Sequence, residues 1–266
     1  MFIFYSSDFH SIIKQDFERI EIIMKKYVLV TGASRGIGRA IALAFAKEGY
    51  HVFLNCSRSA SELEIVKTEI ETLSSGSCDL LIGDIGNSKF VSEMFENIHK
   101  KCNALDVLVN NAGIAHIGLL SDMTDDEWNR LLQTNLSSVF YCSRAAVPKM
   151  VSRKSGKIIN ISSMWGSVGA SCEAAYSATK SGVHGLTRAL AKELAPSNIQ
   201  INAIACGCID TIMNSQLDAQ ERLTLEEEIP AGRFGSPQEV ADFVIHLVNS
   251  PAYLTGQVIG FDGGYI

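Results

Sequence analysis

The sequence predicts a single-domain α/β fold: a doubly wound parallel sheet of about seven strands with helices on both faces. Two observations carry that expectation. Short apolar runs (YVLV, HVFLNC, CDLLI, DVLVNN, KIINIS, NIQINAIA and QVIGF) alternate with longer stretches of helical periodicity, and their β-branched density suits strands buried on both faces. A glycine-rich turn, TGASRGIG, joins the first apolar run to the first helical one, the arrangement that seats a phosphate on a helix N-terminus. At 266 residues and 47% hydrophobic, with no structureless linker, the chain has material for one large core.

The net charge of -6 argues against a broad nucleic-acid or anionic-membrane footprint, which would need clustered Lys and Arg. Seven cysteines, an odd number scattered through apparent core segments, suit a reducing cytoplasm better than a disulfide framework. Cys206 and Cys208 have no partner pair of Cys or His, so no metal site is expected. Residues 1–24 lack a basic leader and a cleavage site, and Asp8, Asp16, Glu18 and Glu21 interrupt their apolar runs, so they read neither as a signal peptide nor as a membrane span. They are expected to be an N-terminal extension, either a disordered arm or an upstream-extended reading frame with Met24 as the natural start, and the alternative is an amphipathic interaction helix. The folded domain is expected over 25–266.

Along the chain, KYVLV is the first strand, and Gly32, Gly36 and Gly38 follow a G-x-x-x-G-x-G pattern into a helix that ends at Gly49. Glycine permits the tight turn and lets a pyrophosphate approach the backbone. The second strand, HVFLNC, exits into Ser57 and Arg58 with no carboxylate; a free ribose 2′-hydroxyl is usually held by an acid at this place, whereas a 2′-phosphate calls for cations. SELEIVKTEIETL reads as a solvated crossover helix, and CDLLIGDI as a third strand ending in Asp84. After the helix KFVSEMFENIHKK, the fourth strand LDVLV leads to Asn110, Asn111, Ala112 and Gly113, small and amide groups that allow close backbone approach. Residues 124–151 read as one long helix opened by a capping box from Thr124 to Glu127, with Asn135 on its inward face among Leu131, Leu132, Leu136 and Val139.

The stretch from Lys157 to Lys180 reads as a buried strand, a loop and the first turn of a helix, and it brings Ser163, Tyr176 and Lys180 into one neighbourhood. Tyr176 and Lys180 are four apart and share a helix face. An ammonium beside a phenol is expected to favour phenolate and lower the Tyr176 pKa from its ordinary value of about 10, bringing proton exchange with a carbonyl or alcohol oxygen near neutrality. That helix runs to Pro196, NIQINAIA is the sixth strand, the charged stretch at about 210–230 is expected to form a lid, and a last helix precedes a closing strand.

Ser163 with Tyr-x-x-x-Lys, together with TGASRGIG and NNAG, resembles the short-chain dehydrogenase/reductase family, whose fold is Rossmann-type. The likeness extends from about Lys25 to the C-terminus and is greatest to the 3-oxoacyl-acyl-carrier-protein reductases and the related elongation factor P 5-aminopentanone reductases. It implies Asn135, Ser163, Tyr176 and Lys180 as catalytic residues, with Asn135 holding a water in a proton relay. It implies cofactor contacts from Gly32, Ser34, Arg35, Gly36, Ile37, Gly38, Ser57, Arg58, Asp84, Ile85, Asn111, Ala112, Gly113, Tyr176, Lys180, Gly207, Ile209 and Thr211. Arg35 stands where NADP-preferring relatives place a basic residue, so NADP(H) is the cofactor implied; for Asp84 a plain strand-end turn is the competing explanation. Cys206 replaces the proline usual before Gly207, which frees one backbone dihedral. A homo-tetramer in the cytoplasm is the expected assembly.

The substrate implied is a ketone, carried on acyl carrier protein or on a lysine of elongation factor P. Lys154 stands where carrier-protein enzymes place a cation near the mouth, while Ser197 stands where many have another. The polar loop with Trp165, Cys172 and Glu173 suits a substrate bearing an ammonium group, or Glu173 is a solvated carboxylate. A non-catalytic dinucleotide-binding regulator is the alternative from a different class, against which the intact Ser163, Tyr176, Lys180 and Asn135 argue.

Overall fold

The computed structural model describes residues 25–73, 76–215 and 217–266, so the expected N-terminal extension lies outside the described residues. Strands β1 (Tyr27–Val30), β2 (His51–Cys56), β3 (Ser77–Ile82), β4 (Val107–Asn110), β5 (Gly156–Ser163), β6 (Ile199–Cys206) and β7 (Val258–Phe261) form one sheet in the order β3-β2-β1-β4-β5-β6-β7. Every pairing is parallel. The order reverses between β1 and β4, so the connections leaving these two strands go to opposite sides and a crevice opens at their carboxyl ends.

Side chains alternate across each strand and supply two cores. On one face Val28, Val30, Val52, Leu54 and Val109 pack on α1 (Gly36–Lys47), α2 (Ala60–Glu71) and α9 (Pro237–Val248). On the other, Leu29, Phe53, Leu108, Ile158 and Ile201 pack on α3 (Ser88–Lys101), α5 (Ser138–Arg153) and α7 (Ala174–Leu194). The strands' apolar runs follow from this cover on both faces.

The stretch expected as one long helix is interrupted. α4 (Asp125–Leu132), opened by the Thr124–Glu127 capping box, passes through a π-helical turn at Gln133–Ser137 into α5. The extra residue in that turn accommodates Asn135, whose amide is committed to the backbone of Ile114, with Oδ1 accepting from its N–H and Nδ2 donating to its carbonyl, both at 2.8 Å. The expected lid contains a short 3-10 turn at Ile212–Asn214 and a regular helix, α8 (Ala219–Glu228), capped by Asp218 and burying none of its residues.

Candidate active site

The glycine turn is shaped by close packing. Gly32 and Gly36 have φ of +64° and +55°, in the left-handed region that glycine alone adopts freely. At Gly38 a Cβ would sit inside the carbonyl oxygen of Gly32 and the amide nitrogen of Asn111. Asn111 holds the turn from below: its Nδ2 donates to the carbonyls of Thr31 (2.9 Å) and Gly32 (3.1 Å), and its N–H donates to Thr31 Oγ1 at 3.0 Å. α1 begins with Arg35 extended at its N-cap, no side chain bonded to its first turn and no acid within it. Its leading N–H groups and dipole therefore face the crevice free to take an anion.

From this cradle a cavity of about 550 Å³ runs along the carboxyl edge of the sheet. Arg35, Ser57, Arg58, Asp84 and Ile85 line one end, Gly113, Ser163, Trp165, Glu173, Tyr176 and Lys180 the other, with Gly207, Ile209 and Thr211 forming a wall. Every residue expected to bind cofactor lines this cavity, as do Ser163, Tyr176 and Lys180 among those expected to be catalytic. Asn135 does not line it; it stands behind Gly113, where a Cβ would lie 3.4 Å from Asn135 Oδ1 and 3.6 Å from Lys180 Nζ. Arg35 pairs with Glu62 at 3.7 Å, across a largely solvated gap. Asp84 Oδ1 accepts from Gly86 N–H at 2.8 Å, so one oxygen is engaged in the strand-end turn although the residue also faces the cavity. The cradle at one end and the phenol at the other fit a nicotinamide dinucleotide.

Ser163 ends β5, while Tyr176 and Lys180 occupy the first turns of α7. Ser163 Oγ accepts from Trp165 N–H at 3.2 Å, which leaves its hydroxyl hydrogen to turn toward the Tyr176 phenol, where it favours the charged form. Lys180 Nζ lies 5.5 Å from the centre of the tyrosine ring and donates to the Ile161 carbonyl at 3.1 Å. The sign expected for the phenol is reversed in the chain itself. Burial raises the Tyr176 pKa above its ordinary value against the Ser163 hydrogen bond, and burial also pulls the Lys180 ammonium down to about 8. Desolvation acts against the charged form of both groups and outweighs what opposes it, the Ser163 hydroxyl at the phenol and Cys206 at the ammonium, because both side chains are nearly inaccessible to water. Burial likewise raises Glu173, against a lowering influence of the Trp165 side chain, and pushes the Cys206 thiol up to about 12, far from a nucleophile. Among the described residues no group of three His, Cys, Asp or Glu could hold a metal ion.

Lys154 is not at the mouth. It is the left-handed cap ending α5, just before β5 begins at Gly156, whereas the cavity opens beyond the strand's other end at Ser163. Eight residues of strand separate the two ends, roughly 25 Å at about 3.3 Å per residue. Ser197, which precedes β6, lies at the same far edge. Arg130 of α4 does line the cavity. Sequence reasoning also missed Thr31, whose hydroxyl takes the N–H groups of Asn111 and Ala112, and Asn55, whose Nδ2 ties β2 to the carbonyls of Leu81 and Gly83. A threonine directly before the glycine turn, and a buried amide closing the second strand, were the signals available.

Three comparisons bear on this geometry. The model of the short chain dehydrogenase family matches residues 26–222. The 3-oxoacyl-acyl-carrier-protein reductase of Staphylococcus aureus is 42% identical over 242 residues, covering 91% of this chain and 98% of that protein. The same-named enzyme of Thermotoga maritima is 40% identical, again over 91% of this chain and 98% of its own length. Among solved structures, a 3-oxoacyl-acyl-carrier-protein reductase from Brucella melitensis superposes with a TM-score of 0.85 at 33% identity, covering 91% of each chain.

Proposed function

The chain belongs to the short-chain dehydrogenase/reductase family, and on that premise we propose that this oxidoreductase uses NADP(H) to reduce a ketone to a secondary alcohol, the ketone being a 3-oxoacyl group carried on acyl carrier protein. The observation that carries the reading is the Ser163–Tyr176 pair beside Lys180, standing in one cavity with the glycine cradle. A reduced nicotinamide, when bound, supplies hydride to the carbonyl carbon. Ser163 holds the carbonyl oxygen, and Tyr176 gives it a proton. A phenol whose pKa is raised by burial is protonated at working pH, which is the form a reduction consumes. Lys180 stands within the site to return the proton to Tyr176, and Asn135, behind Gly113, would hold the water that links Lys180 to solvent. Arg35 and Arg58 meet the 2′-phosphate, Asp84 and Ile85 the adenine side, and Gly207, Ile209 and Thr211 the nicotinamide side. The domain spans 25–266, α8 and its flanks close over substrate, and the enzyme works as a homo-tetramer in the cytoplasm. All seven cysteines are free, as a reducing compartment allows, and no helix among the described residues is long and apolar enough to cross a membrane.

One observation favours a second substrate. Glu173 is a half-buried carboxylate three residues before Tyr176 on the substrate side of the cavity, placed to meet an ammonium group. A 5-aminopentanone attached to elongation factor P presents such a group. Oxidation of NADPH and NADH is to be measured with a 3-oxoacyl thioester and with an amine-bearing ketone; faster turnover of the second with NADPH would overturn the carrier-protein assignment. Tyr176→Phe is expected to bind NADPH as the parent does and to lose at least about a thousandfold in kcat. Parental turnover by that variant would end the catalytic assignment, and cofactor binding with no turnover on any ketone would leave a dinucleotide-binding regulator.

A further inference from the structure

The helix bearing Tyr176 and Lys180 meets the strand bearing Ser163 along a polar seam. Lys180, His184 and Thr187 stand at i, i+4 and i+7, on one face of α7. Each bonds β5: Lys180 reaches the Ile161 carbonyl at 3.1 Å, His184 Nε2 meets Ser162 Oγ at 2.8 Å, and Thr187 Oγ1 accepts from Asn160 Nδ2 at 2.9 Å. Asn160 in turn accepts from Asn110 of β4 at 2.9 Å, which ties the seam to the next strand. His184 is 3% exposed and Ser162 4%. The imidazole also packs on the four-residue helix α6 (Trp165–Val168): a Cβ on Gly166 would lie 2.7 Å from His184 Cε1 and 2.8 Å from the Lys180 carbonyl carbon. Ser181 Oγ fastens the same turn by donating to the Gly166 carbonyl at 2.7 Å. α6 starts at Trp165, whose N–H orients Ser163.

Apolar contact has no direction and lets a helix slide on a sheet, whereas a slip along this seam would leave buried polar groups without partners. We propose that His184 is a positioning residue for the reaction: through Ser162 and Gly166 it fixes the register of α7 on β5 and the seat of α6, and so sets the Ser163–Tyr176 geometry. This rests on the ketoreductase reading, because it assigns His184 a role through residues of that site. The competing role is that of a satisfied core histidine that contributes stability alone.

The test compares His184→Leu, Ser162→Ala and the double variant with the parent, measuring kcat and KM on a ketone at saturating NADPH, NADPH Kd by fluorescence, and Tm. Each single change is expected to lower kcat about tenfold with NADPH Kd within about twofold of the parent, and the double variant to fall no further than the worse single, since the two side chains act as one unit. Parental kcat in Ser162→Ala, which removes only one oxygen, overturns the proposal even if His184→Leu fails to fold; so does a loss of Tm with kcat intact. In a Trp128→Phe background, Trp165 is the single tryptophan and reports the seat of α6 without turnover. There His184→Leu is expected to raise acrylamide quenching about twofold, and unchanged quenching counts against the proposal. Absence of ketone turnover by the parent would sink the ketoreductase reading, and the Trp165 signal would then judge the seam.

Discussion

Gly38→Ala puts the packing of the cofactor cradle to a quantitative test. In the interior of a helix the change by itself stabilises by about 0.5–1 kcal/mol, because alanine loses less backbone freedom on folding. Here the new methyl would enter the space of the Gly32 carbonyl and the Asn111 amide and lie 2.9 Å from the Gly32 carbonyl carbon. None of these is the loose end of a flexible side chain. Gly32 is held at φ +64°, and Asn111 Nδ2 is bonded to two carbonyls. Overpacking of this kind costs about 1–3 kcal/mol, and displacing Asn111 forfeits two hydrogen bonds worth about 1 kcal/mol each. The steric term wins, leaving a net loss of about 2–4 kcal/mol. With a urea slope of about 3 kcal/mol per M, the unfolding midpoint should fall by about 1 M. The displaced carbonyl also closes the phosphate seat, so NADPH Kd should rise at least about tenfold. Gly49→Ala is the control: it meets nothing within 4 Å and changes only a residue at φ +80°, so it should cost about 1 kcal/mol with Kd unchanged. A Gly38→Ala protein that unfolds at the parental midpoint and binds NADPH with parental Kd would refute the packing argument.

Three further predictions concern charge and assembly. Arg35→Ala should raise the Kd of NADPH by about tenfold or more and leave that of NADH within about twofold; equal effects on both would remove Arg35 from 2′-phosphate recognition. Burial holds the His184 imidazole down to about 4, below its ordinary value of 6.5, so between those two values the unfolded chain takes a proton that the folded chain refuses. The stability that neutral His184 contributes is therefore complete above about pH 6.5 and lost as pH falls toward 4, with Lys180 and Arg188 adding to the cost of a charge there. The urea midpoint of the parent should drop more between pH 7 and pH 5 than that of His184→Leu, and parallel drops would contradict the assignment. Gly185 is exposed on α7, and a Cβ added there would meet no described residue beyond its own helix backbone within 4 Å, so Gly185→Arg should leave a lone subunit folded while reducing the mass seen by sedimentation if this face joins subunits; an unchanged oligomer would exclude it from the interface.

Much of the site was legible because its signals are short-range. Strand–helix alternation follows from periods of 2.0 and 3.6, the phosphate cradle from glycines at fixed offsets, and the Tyr176–Lys180 pairing from one helical turn. The Thr124–Glu127 box lies within four residues and closes as written. Other features escaped the reading because their partners are distant in the chain. The π-turn at Asn135 exists to serve a backbone 21 residues earlier, and His184 finds Ser162 across 22 residues and two elements.

What the sequence by itself determined is the family, the sheet with its covering helices and the set of residues that face one cavity, since these rest on local pattern. Only the tertiary structure decided the direction in which the phenol titrates, the removal of Lys154 to the far edge of the sheet and the polar seam that indexes α7 on β5. Desolvation and hydrogen-bond partnership are properties of many segments packed together, and no window along the chain contains them.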